Sequence, residues 1–300
     1  MGAMKANVDL SIIIVSWNSG EDLRSCLKSI DQNEKNSNFE VFVVDNASQD
    51  GTPLMVKKEF PNVKLISNKQ NQGFAKANNQ AIRYASGRFL LLLNPDTKVE
   101  GGTLVKALNY MDQNKKVGVL GCKTVNPDGS LQKSVRRFPD LFSQIIILTK
   151  LHHFFPNLDS LKRYFANDFD YQKIQNADQV MGAFFMIRKE CLDDIGLLDE
   201  DFWIWFEEVD FCRRAHKKNW QVVYNPNFTI MHKQGQSFYK LKATKEQYIF
   251  NRSLFHYFWK HRPKWEYVIL AVFYPISLAL AFLVELLESI KSTEKIKCLN

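Results

Sequence analysis

The sequence predicts an α/β fold with a mostly parallel sheet and a helical C-terminal extension. Apolar runs and segments of helical spacing alternate four times within roughly the first 100 residues, which is typical of a Rossmann-like sheet. Residues 89–93 are five consecutive apolar residues, too few for an ordinary helix and too continuous for a half-exposed strand. This run is predicted to be an inner strand covered on both faces. The first half contains no GxGxxG, so the dinucleotide fingerprint is absent.

The remaining elements follow from periodicity and turn residues. Strands are expected at residues 10–16, 39–44, 63–66, 117–121, 180–187, 221–224 and 228–231. Helices are expected at 21–30, from Thr52 onward, and at 73–85, 103–111 and 207–219, where apolar residues recur every three or four positions or cap signals occur. Residues 136–176 break this pattern and are expected to form an insertion over one edge of the sheet. Such loops often carry specificity.

Composition excludes several classes of protein. With 45% hydrophobic and 24% charged residues, the chain is expected to fold rather than to be disordered. The five cysteines are scattered, odd in number and without CxxC spacing, which favours a reducing compartment over a disulfide framework or a zinc site. No secretory signal is visible, and residues 1–3 before Met4 are interpreted as an expression remnant.

The positive charge is concentrated near the C-terminus. Of the net charge of +8, the last 70 residues contribute 11 Lys and Arg against 5 Asp and Glu. Residues 268–284 carry no charge and contain Pro275, and cationic and aromatic residues precede them. One interpretation is a buried helix; the flanks favour a helix lying on or dipping into a membrane. Because the basic residues adjoin an apolar helix, a nucleic-acid partner is not expected.

Two acids follow predicted strands. Asp45 comes after the second strand and Asp96 after the fourth, so both are expected at the carboxyl edge of the sheet, where open α/β sheets bind ligands. Each alone could be a turn or cap residue. Together they favour a nucleotide site, with one carboxylate for the base or ribose and one for a metal bound to phosphates.

A cluster of aromatic residues and acids forms a second candidate site. Glu207, Glu208 and Asp210 follow a run that contains Phe202, Trp203, Trp205 and Phe206. Aromatic rings cover the apolar faces of a sugar and can raise the pKa of a carboxylate toward that of a useful general base. The alternative is an acidic helix start beside core aromatics. His232 follows a strand, and Gly235 and Ser237 would permit a sharp turn after it, but spacing alone does not make this histidine a ligand.

The motifs resemble a known enzyme family. Residues 11–18, 43–52 and 71–79 resemble inverting GT-A glycosyltransferases of family 2. Within that family, residues 92–96, 137–139, 206–210 and 232–237 resemble bacterial rhamnosyltransferases of O-antigen and cell-wall assembly. The resemblance covers about residues 10–260, and it implies a GT-A fold.

The resemblance also implies roles for individual residues. Glu208 would be the catalytic base, while Asp96, as the last acid of the DxD motif, and His232 would hold Mg²⁺ or Mn²⁺. Asp45 would contact the base or ribose of the donor. Two departures from the family pattern stand out: Asn94 replaces the first DxD acid, and Glu208 stands where relatives more often have Asp. The further donor-binding candidates are Asn18, Asn78, Asn94 and Arg136, and the acceptor-side candidates are Trp203, Trp205 and Glu207.

The implied reaction is inverting transfer of a sugar, with dTDP-L-rhamnose as donor and a lipid-linked saccharide as acceptor. The catalytic domain would span 5–240, with an acceptor-side insertion at 136–176. The helical region 241–300 would bind the membrane, so the enzyme would be cytoplasmic and peripheral to the inner face of the cell membrane. Two alternatives stay open: a UDP-hexose transferase of the same fold, and a non-catalytic subunit that binds sugar nucleotides or glycans.

Overall fold

The computed structural model of the protein describes residues 8–33, 38–233 and 242–297. The strands are β1 (Leu10–Ser16), β2 (Phe39–Asp45), β3 (Lys64–Ser67), β4 (Phe89–Leu93), β5 (Thr97–Val99), β6 (Val117–Val125), β7 (Leu131–Gln132), β8 (Val135–Arg136), β9 (Gln175–Asn176), β10 (Gln179–Val180), β11 (Phe184–Arg188) and β12 (Gln221–His232). The helices are α1 (Gly20–Asn33), α2 (Thr52–Glu59), α3 (Phe74–Ile82), α4 (Thr103–Gln113), α5 (Leu141–Leu148), α6 (Asp159–Tyr164), α7 (Lys189–Ile195), α8 (Glu207–Lys217), α9 (Ala243–His261), α10 (Lys264–Val272) and α11 (Tyr274–Lys297), with a 3-10 turn at Leu151–His153.

One mixed sheet organises the molecule, in the order β3-β2-β1-β4-β11-β6-β12-β5. Its first four strands are mutually parallel, as the alternating pattern predicts. β11 enters antiparallel between β4 and β6, and β6 then pairs in parallel with β12. β5 lies antiparallel to the far end of β12, so that His232 is paired with Thr97. This last pairing brings the end of β12 back to the chain that leaves β4.

Strand β4 is the inner strand that its apolar run predicts. All five of its residues are buried. Phe89, Leu91 and Leu93 belong to the core on one face of the sheet, while Leu90 and Leu92 belong to the core on the other. A strand covered on both faces needs apolar residues at every position, which explains the unbroken run.

Two strand predictions were wrong in detail. Residues 180–187 were expected to be one strand, but β10 and β11 are separated at residues 181–183. Residues 221–224 and 228–231 were expected to be two strands, but both belong to β12. A register shift between Asn225 and Thr229 absorbs the irregular residues between them, as a bulge does.

The helices α9, α10 and α11 form a C-terminal layer. Tyr257 and Phe258 of α9 are fully buried against Phe206 and Val209, in a third hydrophobic cluster. The helical stretch Lys264–Leu287 has a mean hydropathy of 2.4 in its most apolar window, and 17% of that window is buried. This stretch is therefore long and apolar enough to cross a membrane, and it is not the buried helix of the alternative interpretation.

The charge-free residues 268–284 do not form one uninterrupted helix. α10 ends at Val272 and α11 begins at Tyr274. Pro275 explains the break, because it has no N–H to donate to the Ala271 carbonyl and its ring crowds that carbonyl. The predicted boundary between 240 and 241 stays a prediction, since residues 234–241 lie outside the described part of the chain. The four described cysteines are buried and free, and Cys298 lies outside that part.

Candidate active site

A cavity of about 520 Å³ opens where β4 and β12 end and α8 begins. Its volume lies within the range of roughly 300–1,000 Å³ that is usual for ligand sites. The cavity brings together seven of the predicted site residues: Asn94, Asp96, Arg136, Trp205, Glu207, Glu208 and His232. These residues come from four separate stretches of the chain, and only the fold makes them neighbours.

Asp96 and His232 form a close pair on the sheet side of this cavity. Asp96 Oδ1 lies 3.2 Å from His232 Nε2, and both side chains are buried, at 9% and 5% exposure. The pairing of β5 with β12 creates this approach, and the Lys233 N–H donates to the Asp96 carbonyl at 3.0 Å. The two residues are 136 positions apart in sequence, so β-sheet pairing alone explains their contact.

The orientation of the His232 ring is fixed by Gln132. His232 Nδ1 lies 2.7 Å from Gln132 Oε1, while the Gln132 amide nitrogen faces Asn126 Oδ1 at 2.9 Å. An amide oxygen only accepts, so Nδ1 carries the proton and donates it to Gln132. The lone pair of His232 is then on Nε2, the atom that faces Asp96. This is how the outer partner of a metal-bound histidine usually sets its tautomer.

The pair fits a divalent cation. A carboxylate oxygen and an imidazole lone pair facing each other at 3.2 Å repel unless a positive charge lies between them. That separation is also what neighbouring ligands of one octahedral ion have when each is about 2.2 Å from the metal. Oxygen and imidazole together suit Mn²⁺ somewhat better than Mg²⁺. Asp96 and His232 could therefore hold either ion.

Asn94, a neutral residue, lies beside the pair of Asp96 and His232. Its Nδ2 is 3.5 Å from His232 Nε2. Its backbone carbonyl accepts from the Thr97 hydroxyl at 2.7 Å, which tightens the turn after β4. Rotating the side-chain amide by half a turn would present its oxygen instead, and an amide oxygen can ligate a hard cation. The replacement of the first DxD acid thus removes a charge but keeps a possible ligand atom.

The backbone before α8 is strained, and it directs Glu207 and Glu208 toward the cavity. Trp205 and Phe206 have φ values of 63° and 68°, in the left-handed region that costs a non-glycine residue about 1–2 kcal/mol. Phe206 is buried, and its ring packs 5.6 Å from that of Phe250 and 5.7 Å from that of Tyr257. This packing holds the turn in place, so that α8 begins inside the cavity with Glu207 and Glu208 in its first turn.

Both glutamates have raised pKa values. Burial raises the pKa of Glu207 well above its usual value, and the neighbouring Glu208 carboxylate adds to the effect. Burial also raises the pKa of Glu208, which the positive charge of Arg136 partly offsets. Each carboxyl has one buried oxygen, Oε2, without a hydrogen-bond partner. A carboxyl that is easily protonated and has a free oxygen at a cavity wall has the properties of a general base.

The third acid of the cluster, Asp210, does not line the cavity and instead stabilises the packing of the helices. It is fully buried and pairs with Arg214 at 2.8 Å, Lys260 at 2.8 Å and His261 at 2.6 Å. The hydrogen bond from His261 and the charges of the two other partners hold the pKa of Asp210 below its usual range. These pairs join α8 to α9.

Four predicted residues do not line the cavity. Asp45 ends β2 level with Ser16 of β1, at the same carboxyl edge as β4, and its Oδ1 is buried without a partner. Asn18 accepts from the Gln49 N–H at 2.7 Å and so organises the loop beside Asp45.

Asn78 is buried in α3, and its Nδ2 donates to the Phe74 carbonyl at 3.0 Å. Trp203 lies against Gly73, and its carbonyl accepts from the Phe74 N–H at 2.6 Å. Of these two residues, Asn78 keeps a buried Oδ1 without a partner, whereas Trp203 has a packing role.

Another acidic group, Asp199 with Asp201 and His256, also has the spacing of a metal site. Asp199 Oδ2 already pairs with Lys260 at 2.6 Å and with His256 at 3.1 Å. Because the lysine supplies the positive charge there, this group is less suited to a cation than Asp96 and His232.

Sequence reasoning missed Gln132 and residues 181–183. Gln132 has no motif that marks it, and only the contact with His232, 100 residues away, gives it a role. Met181, Gly182 and Ala183 line the cavity because the chain turns there between β10 and β11. The glycine in a predicted strand was the one available signal. Gly235 and Ser237, expected to shape the turn after His232, lie outside the described residues.

Comparison with known proteins identifies the family. The family model described as Glycosyl transferase family 2 matches residues 11–196. This chain belongs to glycosyl transferase family 2. The match covers the chain from β1 to α7, which includes Asp45, Asn94 and Asp96. The predicted family membership is confirmed.

Curated relatives of this family 2 enzyme align over most of its length. An N-acetylglucosaminyl-diphospho-decaprenol L-rhamnosyltransferase of Mycobacterium tuberculosis is 24% identical over an alignment of 277 residues that covers 85% of this chain and 88% of that protein. The low-salt glycan biosynthesis hexosyltransferase Agl10 of Haloferax volcanii is 25% identical over 252 residues, which cover 82% and 74% of the two chains.

Solved structures share the fold. The mannosyltransferase PcManGT from Pyrobaculum calidifontis, in complex with GDP-Man and Mn²⁺, superposes with a TM-score of 0.58 at 17% identity, covering 99% of this chain and 82% of that one. S. aureus TarS 1-349 in complex with UDP-GlcNAc gives 0.53 at 20% identity, covering 82% and 65%. The predicted GT-A fold is confirmed.

Proposed function

We propose that this family 2 glycosyltransferase moves L-rhamnose, with inversion, from dTDP-L-rhamnose to a lipid-linked saccharide. One observation supports the reaction type most strongly: a buried glutamate pair with free oxygens and a carboxylate–imidazole pair line the same cavity. The first pair can take a proton, and the second can hold a cation against a diphosphate. A non-catalytic binding subunit would need neither.

In the proposed reaction, Glu208 removes the proton from an acceptor hydroxyl. The oxygen forms a bond to the anomeric carbon from the side opposite the nucleotide, and the bond from that carbon to the diphosphate oxygen breaks. The electron pair leaves with the nucleoside diphosphate, and the configuration inverts. The raised pKa of Glu208 suits a base that must take up a proton near neutral pH. Trp205 can cover an apolar face of the acceptor sugar.

Asp96 and His232 would hold the Mg²⁺ or Mn²⁺ ion, with Asn94 beside them. When bound, the ion supplies positive charge against the diphosphate as it leaves. Arg136 lines the same cavity, its guanidinium resting over the rings of Tyr164 and Phe165 at 5.8 Å and 5.5 Å. This positive group can contact the donor phosphates. Asp45 would contact the donor base or ribose.

The choice of donor and acceptor is supported by the relative from Mycobacterium tuberculosis, whose name gives both an L-rhamnosyl group and a decaprenyl diphosphate acceptor. The exposed apolar helices α10 and α11 support a position at a membrane, and we propose the cytoplasmic face, where a lipid-linked acceptor would be found. The hexosyltransferase relative supports a hexose as the second candidate sugar, and a UDP-hexose is the second donor that we propose.

A donor panel with one active-site variant tests this proposal. With Mn²⁺ or Mg²⁺, dTDP-L-rhamnose is expected to raise the midpoint of thermal unfolding more than UDP- or GDP-sugars do, since the native state binds it. Glu208→Gln is expected to bind the donor normally but to lose about 10²–10⁴-fold in transfer rate. The matched control, Glu190→Gln, changes an exposed glutamate in the first turn of α7. Near-normal transfer by Glu208→Gln would refute the assigned base, and a larger shift with UDP-glucose would refute the assigned donor.

A further inference from the structure

A second cavity lies between α5, α9 and α11. It encloses about 250 Å³, less than the roughly 300–1,000 Å³ of a whole small-molecule site, so it has room for part of a larger molecule. Apolar side chains from all three helices form its walls: Ile147, Phe250, Ala281 and Val284. The other face of α11 exposes Phe282 and Leu283 at 57% and 51%. One helix therefore separates this cavity from the apolar outer surface.

The second cavity adjoins the active site. Trp205, Glu246 and Phe250 line both cavities. Trp205 and Phe250 contact one another, with ring centroids 6.0 Å apart. A molecule that extends past this aromatic pair would reach from the α11 wall to the glutamates at the start of α8.

Two basic side chains line the second cavity near the end of α5. Lys150 has a φ of 58° and donates from Nζ to Gln247 Oε1 at 2.7 Å. His152 lies two residues on, and its Nδ1 is buried without a hydrogen-bond partner. Neither residue belongs to the machinery proposed for sugar transfer.

A buried hydrogen-bond network fixes the position of Lys150. Gln247 donates from Nε2 to Asn251 Oδ1 at 2.8 Å, Asn251 donates from Nδ2 to Ser277 at 2.7 Å, and Ser277 donates to the Tyr274 carbonyl at 2.8 Å. The network joins α5, α9 and α11, and its donors all point away from the lysine. Such a fully connected network holds its members rigidly.

The Lys150 ammonium, rather than the net charge of the cavity, favours an anionic partner, because Glu246 also lines the cavity and burial lowers the pKa of His152. Burial lowers the pKa of Lys150 more than the Glu246 carboxylate raises it. The ammonium group thus gives up hydration without full compensation inside the protein. A diphosphate would restore that compensation, since phosphate oxygens form strong charge-assisted hydrogen bonds with lysine. The site therefore has a cationic part beside apolar walls, as an amphiphilic lipid phosphate requires.

We propose that the second cavity binds the polyprenyl diphosphate part of the acceptor. This inference rests on the proposed function only in that the lipid is taken to carry the acceptor saccharide. The diphosphate lies at Lys150 and His152, and the first isoprenoid units lie against Ile147, Ala281 and Val284. The saccharide then passes Trp205 into the active-site cavity.

Equilibrium binding of radiolabelled farnesyl diphosphate tests the site directly. The full chain is held in lipid nanodiscs with EDTA and excess dTDP, so that the donor site does not contribute. Wild type is expected to bind, and Lys150→Met and Ala281→Phe are each expected to bind at least tenfold more weakly. Two controls place the same substitutions at exposed positions, Lys162→Met and Ala279→Phe, and are expected to match wild type. The two site variants alter different walls, so misfolding of one leaves the other informative.

Two probes separate the parts of the site. Farnesol and inorganic diphosphate are each expected to bind more weakly than farnesyl diphosphate. Equal binding of inorganic diphosphate, or wild-type affinity in Lys150→Met, would overturn the inference. Transfer to a water-soluble saccharide without a lipid is expected to be unchanged in both site variants. Failure of transfer to every acceptor would refute the proposed function, whereas the farnesyl diphosphate measurement would still decide the binding site.

Discussion

At the scale of single residues, Glu207 places a largely buried carboxyl group at the wall of the active-site cavity. Its exposure is 5%, its Oε2 has no partner, and burial raises its pKa. The helix N-terminus favours the charged form, but burial outweighs it. The unfolded chain therefore releases this proton at a lower pH than the folded protein does.

This difference makes the contribution of Glu207 to stability depend on pH. Between its usual pKa of 4.5 and the raised folded value, the folded state binds more protons, so stability falls as pH rises. Glu207→Gln removes that effect. Near pH 8 the variant is expected to unfold about 2–4 °C above wild type, the shift that roughly 1 kcal/mol gives in a large domain.

Thermal unfolding followed by circular dichroism measures this difference. Near pH 4 the gain in unfolding temperature is expected to vanish, because the Glu207 carboxyl is then mostly neutral in the folded and the unfolded state alike. Glu190→Gln, at the exposed start of α7, is expected to give no gain at either pH. A gain that is the same at both pH values would contradict the burial explanation.

Some site residues could be predicted from the sequence, and others could not. The acids after β2 and β4 were predictable, because a strand end in a parallel sheet fixes which edge an acid occupies. The contact of His232 with Asp96 was not, since it depends on β5 turning back against β12. Asp210 had the same local pattern as its neighbours, and only its ion pairs with Arg214 and Lys260 and its hydrogen bond with His261 distinguish it.

At the scale of elements, the start of α3 and the turn before α8 hold each other. Gly73 has a φ of 81° and a ψ of 174°, a region that is essentially restricted to glycine. A Cβ at this position would lie 2.5 Å from the Trp203 carbonyl oxygen. This close approach explains why Trp203 faces α3 while Trp205 lines the cavity.

Gly73→Ala is therefore expected to destabilise the protein by about 2–3 kcal/mol, because it adds both backbone strain and a clash with backbone. Urea unfolding gives the value. Gly196→Ala is the matched control: its φ of 83° and ψ of 176° reproduce the Gly73 backbone, but nothing lies within 4 Å of the added Cβ. It is expected to cost only about 1–2 kcal/mol, the strain alone. Equal costs at both glycines would show that the contact with Trp203 contributes nothing.

Strands and helices with a regular spacing of apolar residues were predictable. Elements that exist because of tertiary contacts were not. The apolar runs of β1, β2 and β4 identify buried strands without ambiguity. β5, with three residues, exists because β12 extends past the bulge to pair with it. The break at Phe273 follows from Pro275, which the sequence does display.

At the scale of the whole molecule, one side of the described chain is unusually apolar. Val268 and Val272 of α10 are 63% and 64% exposed. Phe142, Phe154 and Phe155 of the insertion are 70%, 77% and 56% exposed. α5 of the insertion packs against α10 and α11, so the two apolar regions adjoin. Patches of this kind mark membrane or protein contacts.

Val272→Glu is expected to reduce binding to vesicles that contain anionic lipid by at least tenfold, since burying one such side chain contributes roughly 1.5–3 kcal/mol. Vesicle sedimentation measures the partitioning. Leu54→Glu, at 74% exposure on α2, provides the control and is expected to bind like wild type. Added salt is expected to weaken the remaining attraction of the basic residues to the lipid. Unchanged sedimentation of Val272→Glu would place the membrane contact elsewhere.

The antiparallel entry of β11 beside β4 also affects how the chain is made. β1, whose other edge pairs with β2, can pair with β4 as soon as residue 93 has been synthesised, but the other edge of β4 waits for β11 at residues 184–188. At about 5–20 residues per second, this apolar edge stays unpaired for roughly 5–20 s. An open edge of this composition is a template for wrong pairing. The nascent enzyme is therefore most prone to misfolding during this interval, and slow translation or a missing chaperone would increase the misfolded fraction.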